Sequence, residues 1–202
     1  MAFRALNPTF IAVVFLIGLA QLISEHAQNV LRFDREAILS GQYWRLLSAH
    51  FLHTNLPHAL INAGACAILW HLFKAHLRPL PAAVLLSLMC LLTGTAILFF
   101  SPHLTHYVGL SGALHALIVW GCAKDLMHGE RFGLAILAGV FAKIAWEQLG
   151  GDTSATATLI DAQVAIDAHL WGALAGLILA LSARLLHPIG FRAQQSNMHP
   201  QD

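Results

Sequence analysis

Six hydrophobic segments, several of them close to 20 residues long, constrain the fold of this chain more than any other feature. The hydrocarbon core of a bilayer is about 30 Å thick, so a spanning α-helix needs about 20 apolar residues. Charged residues make up only 10% of the chain, against about 25% in soluble domains. We therefore expect an all-α polytopic membrane protein with six transmembrane helices. The helices are predicted at about residues 5–23, 57–73, 79–100, 108–127, 131–149 and 163–186.

The connection between the first two predicted helices, residues 24–56, is much longer than the others. It is rich in Trp, Tyr, Phe, Leu and His, whereas a flexible linker would be more polar, so we predict a structured element at the membrane surface. The N-terminal segment lacks a convincing small-x-small cleavage site and is interpreted as a first span. One domain is expected over residues 1–190, followed by a short, polar, disordered tail over residues 191–202.

The distribution of lysine and arginine predicts the orientation of the helices, because cytoplasmic segments carry an excess of these residues. With a cytoplasmic N-terminus, seven basic residues fall on the cytoplasmic side and three on the outer side. The seven are Arg4, Lys74, Arg78, Lys124, Arg131, Arg184 and Arg192, and the three are Arg32, Arg35 and Arg45. Both termini are therefore expected in the cytoplasm, with the long first loop outside.

Metal, disulfide and nucleic-acid chemistry are not indicated by the sequence. The net charge is +1 and no basic run is present, so no nucleic-acid partner is expected. Histidine occurs 13 times, but the HExxH motif of zinc proteases is missing, and we expect neither a metal nor another cofactor. The cysteines lie in apolar segments without CxxC spacing and are interpreted as buried small residues. They are Cys66, Cys90 and Cys122.

Polar side chains within a membrane are costly, so we treat each one as a candidate functional residue. The candidates in the predicted helices are His58, Asn62, Ser111, His115, Lys143, Glu147 and His169. His58, Ser111 and His169 precede basic residues at the cytoplasmic ends of their helices by 16, 13 and 15 residues. At 1.5 Å per residue these separations are about 24, 20 and 22 Å. Three helices therefore carry a polar group at a similar depth, nearer the outer face.

A serine and a histidine at one depth suggest a nucleophile and its general base, because serine needs a neighbouring base to take its proton. The two helices must then approach closely. Gly172 and Gly176 form a GxxxG pair, which allows membrane helices to pack backbone to backbone, and His169 lies on the same face. The backbone beside the serine is likewise opened by Gly109 and Gly112.

Acyl transfer also requires hydrogen-bond donors for the oxyanion that forms on the attacked carbonyl group. His58 and Asn62 are spaced i, i+4 and share one face of the second helix. The backbone amide of Ser111 is a third candidate, because N–H groups at a helix N-terminus have no partner within the helix. Asp167 is two residues from His169 and points to another face, so no third member of a triad is evident. We predict a Ser–His dyad whose base is oriented by packing and ring stacking.

Four motifs, in this order, resemble those of the rhomboid family of intramembrane serine proteases. Trp44-Arg45 resembles the family's WR pair, His58 and Asn62 its HxxxN pair, Gly109-Leu110-Ser111-Gly112 its GxSG motif, and Ala168-His169 with Gly172 and Gly176 its AHxxGxxxG helix. The resemblance covers about residues 40–180. It implies a six-helix rhomboid-like bundle, a dyad open to water from the outer side, and cleavage of transmembrane substrates near the membrane surface. Trp44 and Arg45 are also compatible with ordinary interfacial anchors, and we interpret Arg45 as a residue that braces the first loop.

A narrower resemblance is to the rhombosortases, a bacterial rhomboid subfamily. It is carried by the segments HYVGLSGALHALIVWG, AKIAWEQLGG and DAHLWGALAG. It implies a bacterial inner membrane location, with the active site open to the periplasm. The implied substrates are secreted proteins with a C-terminal Gly-Gly motif, one hydrophobic span and a basic tail. The enzyme would remove this anchor, either by hydrolysis or by transfer to another group.

The orientation of the base is left open by one departure from the family pattern. Many rhomboids have a tyrosine on the fourth helix after the nucleophile motif, whereas here His115 stands four residues after the serine. Either His115 or Trp171 is a candidate to support the ring of His169. His115 is also a candidate group on the substrate side.

Lys143 and Glu147 are spaced i, i+4 on the fifth helix, at a depth that brings Glu147 near the plane of the dyad. One interpretation is a satisfied buried pair. The other is that Glu147 and Gln148 recognise the Gly-Gly segment of the substrate or its flank.

Two other classes of function are also compatible with the sequence. A non-catalytic rhomboid-like membrane chaperone or binding protein is one, although the presence of both Ser111 and His169 argues against it. A small transporter with a polar path is the other. Transporters more often contain an inverted repeat, and none is found here.

Overall fold

The computed structural model describes residues 7–186, which form a bundle of helices with one short pair of strands. In chain order the helices are α1 (Pro8–Ala20), α2 (Glu25–Leu31), α3 (Arg35–Leu39), α4 (Arg45–Ser48), α5 (Leu56–Leu72), α6 (Pro79–Phe100), α7 (Ser111–Met127), α8 (Phe132–Gln148), α9 (Ser154–Ile160) and α10 (Ile166–Leu186). The strands are β1 (Phe33–Asp34) and β2 (His106–Tyr107), and a 3-10 turn spans Ala49–Phe51. The tail predicted over residues 191–202 lies outside the described residues.

Each of the six predicted hydrophobic helices corresponds to a long helix, and α6 has the predicted bounds. The start of α7 differs, because it begins at Ser111 and not at residue 108. The residues before it form β2 and a turn in which Gly109 has a φ of 123°. This left-handed conformation is readily adopted only by glycine. The turn makes Ser111 the first residue of α7.

Two helices have the length and apolar composition of a complete membrane span, namely α6 and residues Ile166–Arg184 of α10. Helices α1 and α5 are apolar but shorter. The prediction of six transmembrane helices is thus met for two helices by this criterion and stays a prediction for the others. Large apolar side chains are exposed on several helices, as expected of a surface that faces lipid; examples are Phe15, Leu60, Leu80, Phe99 and Trp146.

The long first loop, residues 24–56, is folded and contains α2, α3 and α4. Arg45 lies at its centre and is buried. Its guanidinium group donates to the carbonyl oxygens of Asn29 and Arg32, both at 2.8 Å, and to Gln42 Oε1 at 2.9 Å. These charge-assisted bonds tie three parts of the loop to one side chain. Arg45 therefore braces the loop from within.

A two-residue antiparallel ladder joins the first loop to the segment just before α7. Strand β1 pairs with β2, and Phe33 lies opposite Tyr107. These strands could not be predicted from the sequence, because two residues are too few to show an alternating pattern. Next to the ladder, the side chain of Arg35 donates to three carbonyl oxygens at the C-terminal end of α6, where a cation offsets the partial negative charge of the helix. The ladder therefore anchors the entry to α7.

A close contact between α7 and α10 depends on glycine. A Cβ atom on Gly172 would collide with the carbonyl oxygen of Gly112, and one on Gly176 would collide with the carbonyl oxygen of Ala116. The backbones of the two helices thus touch directly, as small residues allow in membrane proteins. This contact sets the distance between the helices that carry the predicted nucleophile and base.

We expect Gly176→Ala to destabilise the protein, because the new methyl group would overlap the carbonyl oxygen of Ala116 and push α7 and α10 apart. Overpacking of this kind costs on the order of 1–3 kcal/mol, so the midpoint of thermal unfolding in detergent should fall by several degrees. Gly139→Ala on α8 is the matched control, since a Cβ at Gly139 has nothing within 4 Å. Equal midpoints for the two variants would contradict the importance of this contact.

Candidate active site

Ser111 lies at the N-terminus of α7, directly after a turn that is anchored to the first loop. The backbone N–H of Gly109 donates to the carbonyl oxygen of Ala49 at 3.1 Å. The hydroxyl group of Tyr107, which is buried, donates to the carbonyl oxygen of Gly109. These two bonds hold the position of the turn, and with it the start of α7. Ser111 itself is only partly buried, so a ligand can reach its hydroxyl group.

His169 lies on α10, opposite Ser111, and is buried. Its Nε2 atom is 3.1 Å from Ser111 Oγ, which is within hydrogen-bond distance. Two side chains as short as these can meet only if their helices nearly touch, and the glycine contact between α7 and α10 provides that approach. The geometry allows the hydroxyl group of Ser111 to donate its proton to His169 Nε2.

Glu147, on α8, lies on the other side of the His169 ring. Its Oε2 and Oε1 atoms are 2.9 and 3.2 Å from His169 Nδ1. Lys143 Nζ is 2.6 Å from Glu147 Oε1. A buried carboxylate therefore contacts the imidazole, a contact that the sequence did not reveal. The Ser–His dyad itself stays a prediction. Helical spacing indicated the depth of Glu147 but could not indicate which neighbouring helix its side chain faces.

His115, one turn along α7 from Ser111, stacks on the His169 ring. The ring centroids are 4.2 Å apart, and the planes differ by 21°. His115 Nδ1 is 2.8 Å from the carbonyl oxygen of Ser111, so an N–H at this position donates to it and holds the ring in place. Trp171, the other candidate to support the base, donates instead to Ser101 Oγ at 2.9 Å. Of the two, His115 is the residue in contact with the base.

His58 and Asn62 are both buried, on the face of α5 that lies beside the start of α7. The imidazole of His58 lies against the turn before Ser111, because a Cβ on Gly109 would be 2.9 Å from His58 Nε2. Thr54 Oγ1 is 3.0 Å from His58 Nδ1. Asn62 Nδ2 donates to the carbonyl oxygen of His58 at 3.1 Å. An amide nitrogen carries two hydrogens, so the second is available to another acceptor.

A cavity of about 830 Å³ contains these groups. Its volume lies in the range of typical ligand pockets, about 300–1,000 Å³. The candidate residues that line it are His58, Asn62, Ser111, His115, Lys143, Glu147 and His169. The short helix α9, which was not predicted from the sequence, contributes Thr156 and Ile160 to the lining. Asn55 Nδ2 donates to the carbonyl oxygen of Leu159 at 3.1 Å and so ties α9 to the start of α5.

The other predicted residues do not line this cavity; they are Trp44, Arg45, Gly109, Gly112, Gln148, Gly172 and Gly176. The glycines shape the backbone, and the Trp-Arg pair belongs to the first loop, where the indole N–H of Trp44 donates to a carbonyl oxygen of the same loop. Gln148 is exposed. Glu147 contacts His169 and Lys143, whereas Gln148 does not line the cavity. The hypothesis that these two residues recognise the substrate stays a prediction.

A family model described as Rhomboid domain matches residues 40–185 of this chain. The match covers well over half of the 202 residues. The matched range includes α5 through α8 and most of α10. All residues of these helices that line the cavity therefore lie within the match. No curated protein matches the chain.

We expect His115→Ala to slow the reaction of Ser111 with a fluorophosphonate, because the His169 ring loses the surface on which it stacks. Stacked aromatic pairs contribute about 0.5–1.5 kcal/mol beyond burial, which corresponds to a rate lower by about 2- to 12-fold. His115→Phe keeps the stacked ring and loses the hydrogen bond, so it should restore most of the rate. If His115→Phe is as slow as His115→Ala, the hydrogen bond to Ser111, and not stacking, supports the base.

Proposed function

This chain belongs to the rhomboid family, and we propose that it is an intramembrane serine endopeptidase with Ser111 as the nucleophile and His169 as the general base. Rhomboid proteins are generally serine proteases that act within membranes. The observation that carries the proposal is the 3.1 Å separation between Ser111 Oγ and His169 Nε2. Polar groups between membrane helices are costly and are typically functional, and a packing serine would need no imidazole beside it.

The chemistry follows from the two protonation states of His169. In the first step, Ser111 Oγ attacks the carbonyl carbon of the scissile peptide bond while its proton moves to His169 Nε2. The tetrahedral intermediate then collapses: the C–N bond breaks, and His169 returns the proton to the leaving amine. An acyl-enzyme on Ser111 is left. Water, or an amine acceptor, attacks this ester with His169 again acting as the base.

The negative charge that forms on the carbonyl oxygen needs donors that point at it before the reaction begins. We assign this role to His58, Asn62 and the backbone N–H of Ser111. The first two approach from α5, next to the turn before Ser111, and the third is an N–H at the first residue of α7 that has no partner within the helix. Removal of one such donor typically costs about 10²- to 10³-fold in kcat.

The chain is a membrane protein, and we propose that six helices cross a bacterial inner membrane with both termini in the cytoplasm. The excess of seven basic residues against three supports this orientation. The active site would then open toward the periplasm, since Ser111 is at the start of α7 and Lys124 is near its end. A site near the outer face gives the hydrolytic water access without crossing the apolar core.

We further propose that the substrates are secreted proteins with a C-terminal Gly-Gly motif, a hydrophobic helix and a basic tail. Such a tail is retained in the cytoplasm by its positive charge. The hydrophobic helix then spans the bilayer, and the Gly-Gly motif lies at the outer face, on the same side as the proposed active site. The three sequence segments that resemble rhombosortases also favour this class. Cleavage would release the secreted protein from its anchor.

The first test is covalent labelling of the purified, detergent-solubilised protein with a fluorophosphonate, which reacts with activated serines. We expect the wild-type protein to be labelled, Ser111→Ala not to be labelled, and His169→Ala to be labelled at least about 10³-fold more slowly, because the hydroxyl group then has no base. Ser40→Ala, at an exposed serine of the first loop, is the control and should behave as the wild type. A wild-type protein that is not labelled would favour a non-catalytic binding protein or a transporter.

The substrate class is tested by co-expression with a reporter that carries a Gly-Gly motif, a hydrophobic helix and a basic tail. We expect a shortened, soluble reporter whose new C-terminus, measured by mass spectrometry, lies at or near the Gly-Gly motif. The same reporter with Ala-Ala in place of Gly-Gly is the matched control and should be processed at least about tenfold less, a loss of roughly 1.4 kcal/mol. Equal processing of both reporters would end the assignment of this substrate class, although not that of the protease.

A further inference from the structure

A carboxylate on α8 contacts the nitrogen of His169 that faces away from the nucleophile. Glu147 Oε2 is 2.9 Å from His169 Nδ1, and His169 Nε2 is 3.1 Å from Ser111 Oγ. The three side chains come from three helices and form one continuous line of hydrogen-bonding groups. Glu147 is buried, with 5% of its surface exposed. Neither the family match nor the proposed serine-histidine chemistry requires this residue.

A buried carboxylate is costly unless it is paired and hydrogen-bonded. If the pair with Lys143 were its only purpose, the cost could be avoided by apolar residues at both positions, which is often neutral or favourable for stability. The pair also does not explain why both carboxylate oxygens of Glu147 lie within 3.2 Å of His169 Nδ1. The ion pair with Lys143 therefore does not account for the contact between Glu147 and the imidazole of His169.

The positions of the protons on His169 separate two arrangements. If His169 Nδ1 lacks a proton, it can accept a hydrogen bond from Lys143 Nζ, which is 3.3 Å away, and His169 Nε2 then carries the proton and cannot act as a base toward Ser111. If Nδ1 carries the proton, it donates to Glu147, and Nε2 is free to accept from Ser111. The shorter distance, 2.9 Å to Glu147 Oε2, favours the second arrangement.

We propose that Glu147 is a positioning residue for His169: its carboxylate accepts the Nδ1–H, keeps Nε2 unprotonated toward Ser111, and stabilises the imidazolium that forms when Ser111 loses its proton. This inference rests on the proposed protease function and adds a third member to the serine-histidine pair. The proton itself moves only between Ser111 and His169. Glu147 stays ionised throughout and never touches the substrate.

Lys143 completes the arrangement by acting on Glu147. Its Nζ atom is 2.6 Å from Glu147 Oε1, so the ammonium group neutralises the buried carboxylate. An anion in a low-dielectric environment would otherwise tend to take up a proton. Lys143 therefore keeps Glu147 in the charged form that His169 needs.

The charges and titratable groups around His169 come from three other helices. His115 stacks on the ring from α7, His58 lies across the cavity on α5, and Lys143 and Glu147 approach from α8. The carboxyl group of Asp167, on the same helix as His169, is engaged by the hydroxyl group of Ser101. Within residues 7–186, Glu147 is therefore the anion in direct contact with the imidazole.

The experiment compares Glu147→Gln with the wild type in a cleavage assay, across pH and in proteoliposomes. Glutamine keeps the shape and one acceptor oxygen but removes the charge. We expect kcat to fall by about 10²- to 10⁴-fold, with KM changed by less than about threefold because Glu147 does not contact the substrate. The acidic limb of the profile of kcat/KM against pH should move to lower pH, because the imidazolium loses the anion that stabilises it.

Two further variants separate positioning from a general structural role. Glu130→Gln makes the same chemical change at an exposed carboxylate just before α8 and should leave both rate and profile unchanged. Glu147→Asp keeps the charge on a shorter side chain, so it should recover at least tenfold of the rate lost in Glu147→Gln and restore the wild-type acidic limb. A loss of packing alone would lower the rate without moving the limb.

The proposal is overturned if Glu147→Gln keeps kcat within about threefold of the wild type, or if its acidic limb stays at the wild-type pH. If Glu147→Gln does not fold, Glu147→Asp decides: a rate as low as that of His169→Ala overturns the proposal, and a measurable rate with the wild-type limb supports it. The labelling of Ser111 is read in the same samples. Wild-type protein that fails to react rules out the protease itself, whereas loss confined to the Glu147 variants concerns this inference only.

Discussion

The direct backbone contact between α7 and α10 is the constraint on which the rest of this structure depends. Gly172 and Gly176 have no side chain to separate α10 from the carbonyl oxygens of Gly112 and Ala116. Because lipid chains are as apolar as the helix surfaces, such contacts are stabilised mainly by close packing and not by the hydrophobic effect. The contact brings the hydroxyl group of one helix within hydrogen-bond distance of the imidazole of the other.

The remaining elements hold this pair in one geometry. The folded first loop, braced by the buried guanidinium of Arg45, meets β2 through the short ladder and supports the turn that leads into α7. On the other side, α8 supplies the carboxylate that meets His169, and α7 supplies the stacked ring of His115. Ser111 and His169 are thus positioned by specific contacts from the first loop, α7 and α8. Such a site needs little reorganisation when charge develops during a reaction.

Features of the fold that depend on a local sequence pattern could be predicted. Runs of apolar residues indicated six helices close to the observed long ones, and the GxxxG spacing indicated the face of α10 that meets α7. Contacts between residues that are distant in the chain could not be predicted. The contact between Glu147 and His169 joins residues 22 positions apart, and helix α9 has only 7 residues, too few to show an amphipathic pattern. The β1–β2 ladder is likewise too short to leave a periodic signal.

The sequence by itself determined that this is a helical membrane protein, and it singled out Ser111 and His169, because the cost of polar groups in hydrocarbon makes the few that occur conspicuous. The tertiary structure alone decided which groups surround them. The depth of a residue along a helix follows from a rise of about 1.5 Å per residue. Which residues its side chain contacts depends on how the neighbouring helices pack. That is why Glu147 could be assigned a depth from its position in the chain, while its partner became known only from the packing of α8 against α10.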